Sequence, residues 1–392
     1  MRIVYVLSGS RFRDGSTKSF LVLLRAVIAA GHECFVILPG KGSLYDYLKK
    51  SNINVRYLSY RFNAIDLKRN GKVSFFNWLK WKRRQVINHL ASRKLLKLCR
   101  QFSPDLIHSN TSANNIGYIA AKKLNIVHIT HFREYGELDF AKKITNLDKQ
   151  LAYKRNYSIS ITKGIAEYRS LSKLTSKVIY NGILDEKDLR FTELKENYIL
   201  YVGRIQETKG VRDLICAYIN YTKSLDNPLC LYLAGDYNFH EGERLKNEFA
   251  LMLANENLTE NVKWLGEVSE IQDYMYKAMV TVVPSKYEGF GRVMPEAMLN
   301  GSLVIGRNSG GTKEQFDNGL ELTGEEIGLR FHNVDELTNH LTGINAYTMS
   351  DYISMICRSQ QVIKSLYTKK NYSESILRLY DDLISHNYNY EY

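Results

Sequence analysis

Short apolar runs that alternate with longer helical patterns restrict the fold of this chain of 392 residues more than any other feature. The runs form two series, which lie at 2–7, 33–38, 105–108, 126–130 and 177–180, and then at 198–203, 229–235, 262–265, 280–283, 303–305 and 327–331. Strands that alternate with helices predict a parallel sheet covered by helices on both faces. Because the pattern restarts, and because single cores rarely exceed roughly 250–300 residues, we predict two doubly wound α/β domains.

A charged stretch without a sustained apolar stripe, residues 184–197, separates the two series. We place the interdomain linker there, so that the N-terminal domain comprises residues 1–188 and the C-terminal domain residues 189–365. Open parallel sheets bind ligands beyond the carboxyl ends of their strands. We therefore expect a shared cleft between the two domains.

The composition is that of a folded protein, with 44% hydrophobic and 12% aromatic residues. The five cysteines contain no C-x-x-C pair, which excludes a zinc ribbon or a redox pair built locally. The apolar N-terminal run becomes polar at Ser8, too early for a signal-peptide core or a membrane span. We expect a cytoplasmic protein.

The segment 284–298, P-S-K-Y-E-G-F-G-R-V-M-P-E-A-M, carries the strongest signal for chemistry. A buried strand ends in a glycine-flanked loop, and Pro295 suits the first turn of the helix that follows. Glu288 then lies in the loop and Glu296 at the helix start. The glycines of the G-F-G triplet at 289–291 let backbone amides approach a ligand, so a phosphate or a sugar hydroxyl fits this site.

Each glutamate alone is typical of a solvated or helix-capping position, but together they form an E-x7-E pattern, and the segment resembles glycosyltransferase family 4. The sequence Y-V-G-R-I-Q-E-T-K-G at 201–210 is similar to the G-R-x4-K-G motif of the same family. The resemblance implies retaining enzymes of the GT-B architecture, in which two Rossmann-like domains face each other across a cleft. Two fixed cations beside a strand end can neutralise a diphosphate leaving group.

The resemblance also implies roles for individual residues. Arg204 and Lys209 would bind the nucleotide diphosphate, Glu296 would accept hydrogen bonds from ribose hydroxyls, and Glu288 would orient the donor sugar. The amides that help Glu288 are those of Gly289, Phe290, Gly291, Arg292 and Val293. Neither glutamate is assigned as a nucleophile.

The N-terminal domain should contribute a loop and a histidine. The segment 8–17 looks like the family's glycine loop, with Gly15 and Ser16 as donor contacts, although Asp14-Gly15-Ser16 replaces the usual glycine pair and no G-x-G-x-x-G is present. The segment 131–139 resembles the H-x-R-E-x-G-E-x-D pattern of many bacterial members. His131 is thus a candidate contact for the donor sugar or the acceptor, and a hydrogen-bonded structural histidine is the alternative.

Weaker similarities at 105–110, 180–183, 264–266 and 310–314 follow the order that the family shows. The resemblance covers most of the chain and is densest in 198–315. The family's final helices would correspond to roughly 360–386, so residues 366–392 are predicted as a helix and tail that cross back to the N-terminal domain.

The net charge of +13 is concentrated in residues 61–100, which hold twelve lysines and arginines against Asp66 alone. Within this region, 72–84 mixes large aromatic residues with cations, which indicates either an anionic membrane surface as partner or a solvated basic helix. The following apolar stripe is predicted as core; it consists of Ile87, Leu90, Ala91, Leu95, Leu98 and Phe102.

We therefore predict a metal-independent, retaining hexosyltransferase that uses a UDP- or GDP-linked sugar and a saccharide acceptor, which is lipid-linked in many bacterial relatives that build capsule or lipopolysaccharide. We expect no cofactor and no nucleic-acid partner. We also expect a cytoplasmic protein that associates peripherally with the inner face of the cytoplasmic membrane. The alternatives are a non-hydrolysing sugar-nucleotide epimerase and, because the isoelectric point is 9.2, a nucleic-acid-binding protein.

Overall fold

Two compact units make up the chain in the computed structural model, which describes residues 1–12, 15–67 and 71–385. The described residues of 1–182 and residues 369–385 form the first unit, and residues 183–368 form the second. The segment 184–197, predicted as a linker, belongs to the second unit. The backbone amide of Arg190 donates to Leu299 O at 2.9 Å, and its carbonyl accepts from Gln360 Nε2 at 2.9 Å, so these backbone hydrogen bonds anchor the charged segment.

The helices and strands of the two units follow one another in regular alternation. Residues 1–182 form β1 (Arg2–Val6), α1 (Gly15–Ala29), β2 (Glu33–Leu38), α2 (Ser43–Lys50), β3 (Asn54–Tyr57), β4 (Ala64–Asp66), α3 (Phe75–Phe102), β5 (Leu106–Ser109), α4 (Ile116–Leu124), β6 (Val127–Phe132), α5 (Glu137–Phe140), β7 (Lys142–Ile144), α6 (Leu147–Leu151), β8 (Asn156–Ser160), α7 (Lys163–Tyr168) and β9 (Ser176–Val178). Residues 183–385 form β10 (Glu196–Val202), α8 (Val211–Thr222), β11 (Cys230–Ala234), α9 (His240–Asn255), β12 (Val262–Gly266), α10 (Ile271–Lys277), β13 (Ala278–Val283), α11 (Val293–Leu299), β14 (Leu303–Arg307), α12 (Gly310–Thr323), β15 (Leu329–Phe331), α13 (Val334–Gly343), α14 (Met349–Leu366) and α15 (Lys369–Ser385).

The large sheet of the first unit is parallel, with the strand order β3-β2-β1-β5-β6-β8-β9. Side chains of β1 alternate between its two faces. Ile3 and Tyr5 pack in a core with α1 and α15, whereas Val4 and Val6 pack in a second core with α3 and α4. Because both faces are covered, the central strand is apolar at every position from Ile3 to Val6.

The sheet of the second unit is also parallel, with the order β12-β11-β10-β13-β14-β15. The first strand of each unit lies in the interior of its sheet. The next strands along the chain are added on one side of it, and the later strands are added on the other side. Strand order therefore reverses between β1 and β5 in the first sheet and between β10 and β13 in the second. The predicted fold class, two doubly wound α/β domains, is confirmed.

Two strands of the first sheet, β3 and β8, are absent from the apolar runs of the sequence. Every residue of β8 is buried although its sequence, N-Y-S-I-S, is largely polar. Asn156 Oδ1 accepts hydrogen bonds from Thr130 Oγ1 at 2.8 Å and lies 2.7 Å from His128 Nδ1. Internal hydrogen bonds thus satisfy the polar groups of this strand, and composition alone does not identify it.

Of the final helices, α14 remains in the second unit, and α15 packs on the sheet of the first. The buried side chains of α15 share a core with α1; they are Tyr372, Ile376, Leu379, Tyr380 and Leu383. Residues 386–392, the end of the predicted tail, lie outside the described residues.

The apolar stripe predicted as core along α3 is divided between core and surface. Ala91 and Leu95 are buried, and Leu98 and Phe102 pack against the same core. Leu90, however, is 53% exposed, so its prediction as core is wrong: the helix presents it on the outer edge, beside the exposed Val86. Lys68 and Arg69 of the basic region lie outside the described residues. Within the described ranges, no helix has both the length and the apolar character needed to cross a membrane.

Candidate functional site

In the second unit, the two strongest sequence motifs follow β10 and β13, which are neighbours in the sheet. Both motifs therefore begin at the same edge of the sheet, at the point where strand order reverses. Open parallel sheets bind their ligands at this position.

The turn after β10 is held by a buried tyrosine. Tyr201, 1% exposed, donates from its hydroxyl to the carbonyl oxygen of Arg204 at 2.8 Å. Burial raises the pKa of Tyr201 well above its ordinary value. The carboxylate of Glu288 raises this pKa further, and the guanidinium of Arg204 lowers it. The charges of both residues therefore act on the Tyr201 phenol. The Arg204 side chain is exposed and makes no ion pair with any residue in the described ranges.

The turn ends at a glycine that touches the neighbouring strand. Gly210 has φ of +69°, and a Cβ at this position would lie 1.9 Å from the carbonyl oxygen of Pro284, the residue after β13. Only glycine tolerates both the backbone angle and the approach. Beside it, Lys286 N donates to Thr208 O at 3.1 Å. The two motif loops are therefore packed against each other through backbone atoms.

This packing brings Lys209 and Glu288 together. Lys209 Nζ lies 2.6 Å from Glu288 Oε1, and both side chains are partly exposed. The second glutamate has its own cation, because Arg292 Nη2 lies 3.2 Å from Glu296 Oε1 across the start of α11. Glu288 thus faces a predicted cation, whereas the cation beside Glu296 is Arg292, which was predicted only for its backbone amide.

The start of α12 supports the loop between the glutamates. Gly311 N donates to Glu288 O at 2.8 Å, and Gln315 Nε2 donates to Gly291 O at 3.1 Å. Phe290, 4% exposed, packs edge-to-face on Tyr367 at a centroid distance of 5.4 Å. Thr312, fully buried beside Gly291, has a hydroxyl without a hydrogen-bond partner in the described part of the chain. Thr312 has no predicted role, and the G-G-T-K-E similarity at 310–314 is the signal in the sequence that could have identified it.

In the first unit, the predicted glycine loop is only partly described, since Asp14 lies outside the described residues. Gly15 is exposed as the first residue of α1, and Ser16 is half-buried. The carbonyl of Ser16 accepts from Asn110 Nδ2 at 3.4 Å, which links this helix start to the residue after β5.

His131, near the carboxyl end of β6, is fully buried in a chain of hydrogen bonds. Its Nδ1 lies 3.1 Å from His108 Nε2 and 3.3 Å from Arg133 Nη2. His108 Nδ1 contacts the Tyr380 hydroxyl, which lies 3.3 Å from that of Tyr5. His131 Nε2 is buried and has no partner within the described ranges.

The donors and acceptors around His131 determine its tautomer. Arginine only donates, so His131 Nδ1 accepts, and the neutral ring carries its proton on Nε2. His108 then donates from Nε2 and accepts from Tyr380 at Nδ1. Burial lowers the pKa of His131 well below its ordinary value, and Arg133 and His108 lower it further, so the ring stays neutral. The unpartnered Nε2–H is therefore a fixed hydrogen-bond donor.

Arg133 is the residue that organises this region and that sequence reasoning left without a role. It is 8% exposed and donates to Asn110 O at 2.9 Å, to Asn181 Oδ1 at 2.7 Å and to Tyr372 OH at 3.0 Å. Its place in the H-x-R-E pattern was the available signal. Glu134, the next residue, accepts from Ser112 Oγ at 3.3 Å, whereas the side chain of Asp139 lies outside the description.

The predicted site residues thus fall into two groups. The second unit contains Arg204, Lys209, Glu288, Glu296 and the 289–293 loop and pairs Lys209 with Glu288, and the first unit contains Gly15, Ser16 and His131. Among the described side chains, no three histidine, cysteine, aspartate or glutamate residues are placed to hold a metal ion.

Two family models in succession match most of the chain. The model described as Glycosyltransferase Family 4 matches residues 13–187, and the model described as glycosyl transferases group 1 matches residues 185–342. The first match covers most of the first unit and the first five residues of the second, and the second match contains both motifs of the second unit.

Curated proteins and solved structures resemble the chain over much of its length. A 42.6 kDa protein in the cps region of Klebsiella pneumoniae is 24% identical over 76% of this chain and 83% of its own. The N-acetylgalactosamine-N,N'-diacetylbacillosaminyl-diphospho-undecaprenol 4-alpha-N-acetylgalactosaminyltransferase of Campylobacter jejuni is 31% identical over 38% of this chain and 39% of its own. The crystal structure of Anabaena HepE in complex with UDP superposes with a TM-score of 0.75 at 18% identity, covering 97% of this chain and 100% of HepE. The GT-B fold expected from the sequence is confirmed.

Proposed function

Because the chain belongs to the glycosyltransferase families that these two models describe, we propose that it is a retaining glycosyltransferase that works without a metal. It transfers a sugar from a nucleotide-diphosphate sugar to a saccharide acceptor during synthesis of a bacterial surface polysaccharide. The observation that carries this proposal is the 2.6 Å contact between Lys209 and Glu288, which joins two separate sequence motifs at the reversal point of a parallel sheet.

The reaction needs positive charge where the diphosphate leaves. The bond between the anomeric carbon and the diphosphate oxygen breaks, its electron pair stays on the diphosphate, and the acceptor hydroxyl attacks from the same face and gives its proton to the departing phosphate. Lys209 and Arg204 neutralise the charge that develops, which is the work of a metal ion in other enzymes. The Arg204 side chain is exposed and without an ion pair in the described chain, and so is available to a phosphate.

The remaining site residues orient the donor. Glu288, with amides of the 289–293 loop, holds the sugar, and Glu296 accepts hydrogen bonds from the ribose. His131 Nε2–H donates to an oxygen of the donor sugar or of the acceptor, a role that its fixed tautomer supports.

The names of similar proteins support a specific donor and a specific acceptor. HepE was crystallised with UDP, which favours a UDP-linked donor over a GDP-linked one. The name of the Campylobacter jejuni relative contains a diphospho-undecaprenol acceptor, and the Klebsiella pneumoniae relative comes from a cps region. We therefore assign a lipid-linked saccharide as acceptor and capsule or a related polysaccharide as product.

A lipid-linked acceptor requires contact with a membrane, and α3 carries a suitable surface. Five of its exposed apolar side chains, called here the α3 face, are Phe75, Phe76, Leu79, Val86 and Leu90. Lysines and arginines surround them between residues 72 and 97. Apolar and cationic groups on one helix favour peripheral binding to an anionic bilayer, in this case the inner face of the cytoplasmic membrane.

Nucleotide binding and product stereochemistry test the proposal. UDP, added at about 100 times its dissociation constant, should stabilise the folded chain by about 2.7 kcal/mol, measured as a rise in melting temperature. The Lys209→Ala variant should lose this rise. With a UDP-sugar and an acceptor, NMR of the product should give the anomeric configuration of the donor. An inverted anomer would refute retention.

A chelator and an acceptor-free incubation test the remaining claims. Transfer should persist in EDTA, and a strict need for added divalent metal would contradict the assignment of charge neutralisation to Arg204 and Lys209. Incubation with the UDP-sugar alone should leave its sugar unchanged. Epimerised donor under that condition would favour the epimerase alternative.

A further inference from the structure

A small cavity lies in the first unit at the carboxyl ends of four strands, apart from the residues assigned above. Its volume is about 160 Å³, and it is lined by Ser8, Pro39, Tyr60, Arg61, Phe62 and Asn114. These residues follow β1, β2, β3 and β5, at the edge of the sheet where parallel α/β folds bind ligands. The cavity is small, so it is suited to a single sugar ring and not to an oligosaccharide.

The lining residue Asn114 has an unsatisfied, buried amide oxygen. Asn114 is 1% exposed, and its Nδ2 donates to Ser8 Oγ at 3.1 Å. Its Oδ1 is buried and has no hydrogen-bond partner in the described part of the chain. An unpaired buried acceptor costs about 1–3 kcal/mol, so a ligand that donates a hydrogen bond here is favoured. A sugar hydroxyl is such a donor.

The lining also includes an aromatic ring and a cation. Phe62 is 46% exposed and presents an apolar surface, and the neighbouring Arg61 is exposed. The guanidinium of Arg61 donates to Tyr60 O at 3.0 Å and makes no ion pair with the described residues. It therefore retains donors for an anion, and a phosphate matches its geometry.

The cavity wall is attached to the helix that carries the α3 face. Asn88, 1% exposed, accepts from Arg61 N at 2.8 Å and donates to Arg61 O at 3.0 Å. Val86 and Leu90, two residues before and after Asn88, are 62% and 53% exposed. One edge of α3 thus positions Arg61, while another edge exposes apolar side chains.

We propose that this cavity binds the phosphate-bearing sugar of the acceptor, the sugar nearest to its lipid. A hydroxyl donates to Asn114 Oδ1, the apolar face of the ring packs on Phe62, and the phosphate pairs with Arg61. The assignment rests on the proposed function, because it identifies where the acceptor of that reaction is held. It explains in one arrangement the unpaired amide, the unpaired cation and the nearby α3 face.

Saturation-transfer NMR with N-acetylglucosamine 1-phosphate as probe tests this assignment. The wild-type chain should transfer saturation to the sugar protons, and inorganic phosphate alone should compete only at much higher concentration. Asn114→Leu and Arg61→Gln should each weaken binding of the probe about tenfold, the effect of one lost hydrogen bond in a buried or charged setting. The affinity for UDP, measured by calorimetry, should not change.

Matched variants keep the test decisive. Arg56→Gln is the control, because Arg56 is exposed on the neighbouring strand and, like Arg61, donates to the carbonyl of the residue before it. Phe62→Ala, at an exposed position, replaces Asn114→Leu if the latter does not fold. Binding unchanged in Asn114→Leu or Phe62→Ala, or equal competition by inorganic phosphate, would overturn the proposal. A wild-type chain that binds neither UDP nor a UDP-sugar would instead refute the proposed function itself.

Discussion

Lys209 and Glu288 form an ion pair that belongs to neither motif alone. In the second unit they are held by different loops, so the pair depends on the packing of these loops, in which Gly210 lies against Pro284. Each charge is compensated by the other until a diphosphate and a sugar enter. Replacing either one leaves its partner unpaired and also removes a contact to the donor.

We expect Lys209→Ala and Glu288→Ala each to lower kcat by about 100-fold or more, the usual effect of removing one preorganised charge or donor from the transition state. Both side chains are partly exposed, so the melting temperature should stay close to that of the wild type. Steady-state kinetics and thermal unfolding measure the two effects.

Lys223→Ala is a suitable control for this pair. Lys223 forms a comparable ion pair with Glu256, at 2.8 Å, on the surface of the same unit. Its replacement should leave kcat unchanged. Near-normal turnover in both site variants would remove Lys209 and Glu288 from the site.

Gly210 tests the contact between the motif loops. Gly210→Ala adds a Cβ that would lie 1.9 Å from Pro284 O, at a φ of +69°. Gly324→Ala is the control, because Gly324 has φ of +77° and its added methyl group would meet no described atom within 4 Å beyond its chain neighbours. The control should lose about 1–2 kcal/mol of unfolding free energy from backbone strain alone, measured in urea. Gly210→Ala should lose clearly more and should also bind UDP more weakly; equal losses would contradict the close packing.

At the scale of the element, α3 has apolar side chains on two sides. Its inner side packs in the core through Ala91, Leu95 and Cys99, and its outer side carries the α3 face. A helix that is apolar on both sides needs a second partner for the exposed side. The cations along it make an anionic bilayer a suitable one.

We expect the double variant Phe75→Ser, Phe76→Ser to bind anionic vesicles at least about tenfold more weakly, since each buried aromatic side chain contributes roughly 1.5–3 kcal/mol when fully inserted. Co-sedimentation with phosphatidylglycerol-containing vesicles measures this. Binding should also weaken as salt increases.

Two exposed leucines of the second unit provide the control for this experiment. Leu194 and Leu251 are 87% and 67% exposed, respectively. The double variant Leu194→Ser, Leu251→Ser should bind vesicles like the wild type. A wild-type chain that fails to co-sediment at low salt would contradict the membrane assignment.

At the scale of the whole molecule, buried histidines couple stability to pH. Burial lowers the pKa of His108, His128 and His131, and the pKa of His128 falls from 6.5 to about 4. In the unfolded chain these rings regain ordinary pKa values and bind protons first. The unfolding free energy should therefore decrease as pH falls from about 7 towards 4.

For His128 alone, protonation of the unfolded chain should lower the unfolding free energy by about 3 kcal/mol between pH 7 and pH 4. Urea unfolding at several pH values between about 4.5 and 7.5 measures the slope. His128→Gln, which keeps hydrogen-bonding groups near Asn156 and Ser109, should reduce the slope without abolishing it. A stability that stays constant over this range would contradict the buried, neutral state of the three rings.

Periodicity and local motifs were sufficient to predict the alternating fold, the two units and the loops that carry Arg204, Lys209, Glu288 and Glu296. Apolar runs identify strands buried on both faces, and glycine and proline mark the turns between them. They could not identify β8, whose polar side chains are satisfied by partners distant in sequence, or the exposure of Leu90, which depends on how α3 rotates against the sheet.

Contacts between distant residues decided the rest. The sequence by itself determined which residues follow each strand, because alternation and turn chemistry are local. Only the tertiary structure decided that Lys209 meets Glu288, that Arg133 and His108 set the proton of His131 on Nε2, and that Asn114 Oδ1 stays unpaired beside a cavity. The physical reason is that hydrogen bonds and ion pairs form between groups that folding brings within about 3 Å, and no local pattern records that distance.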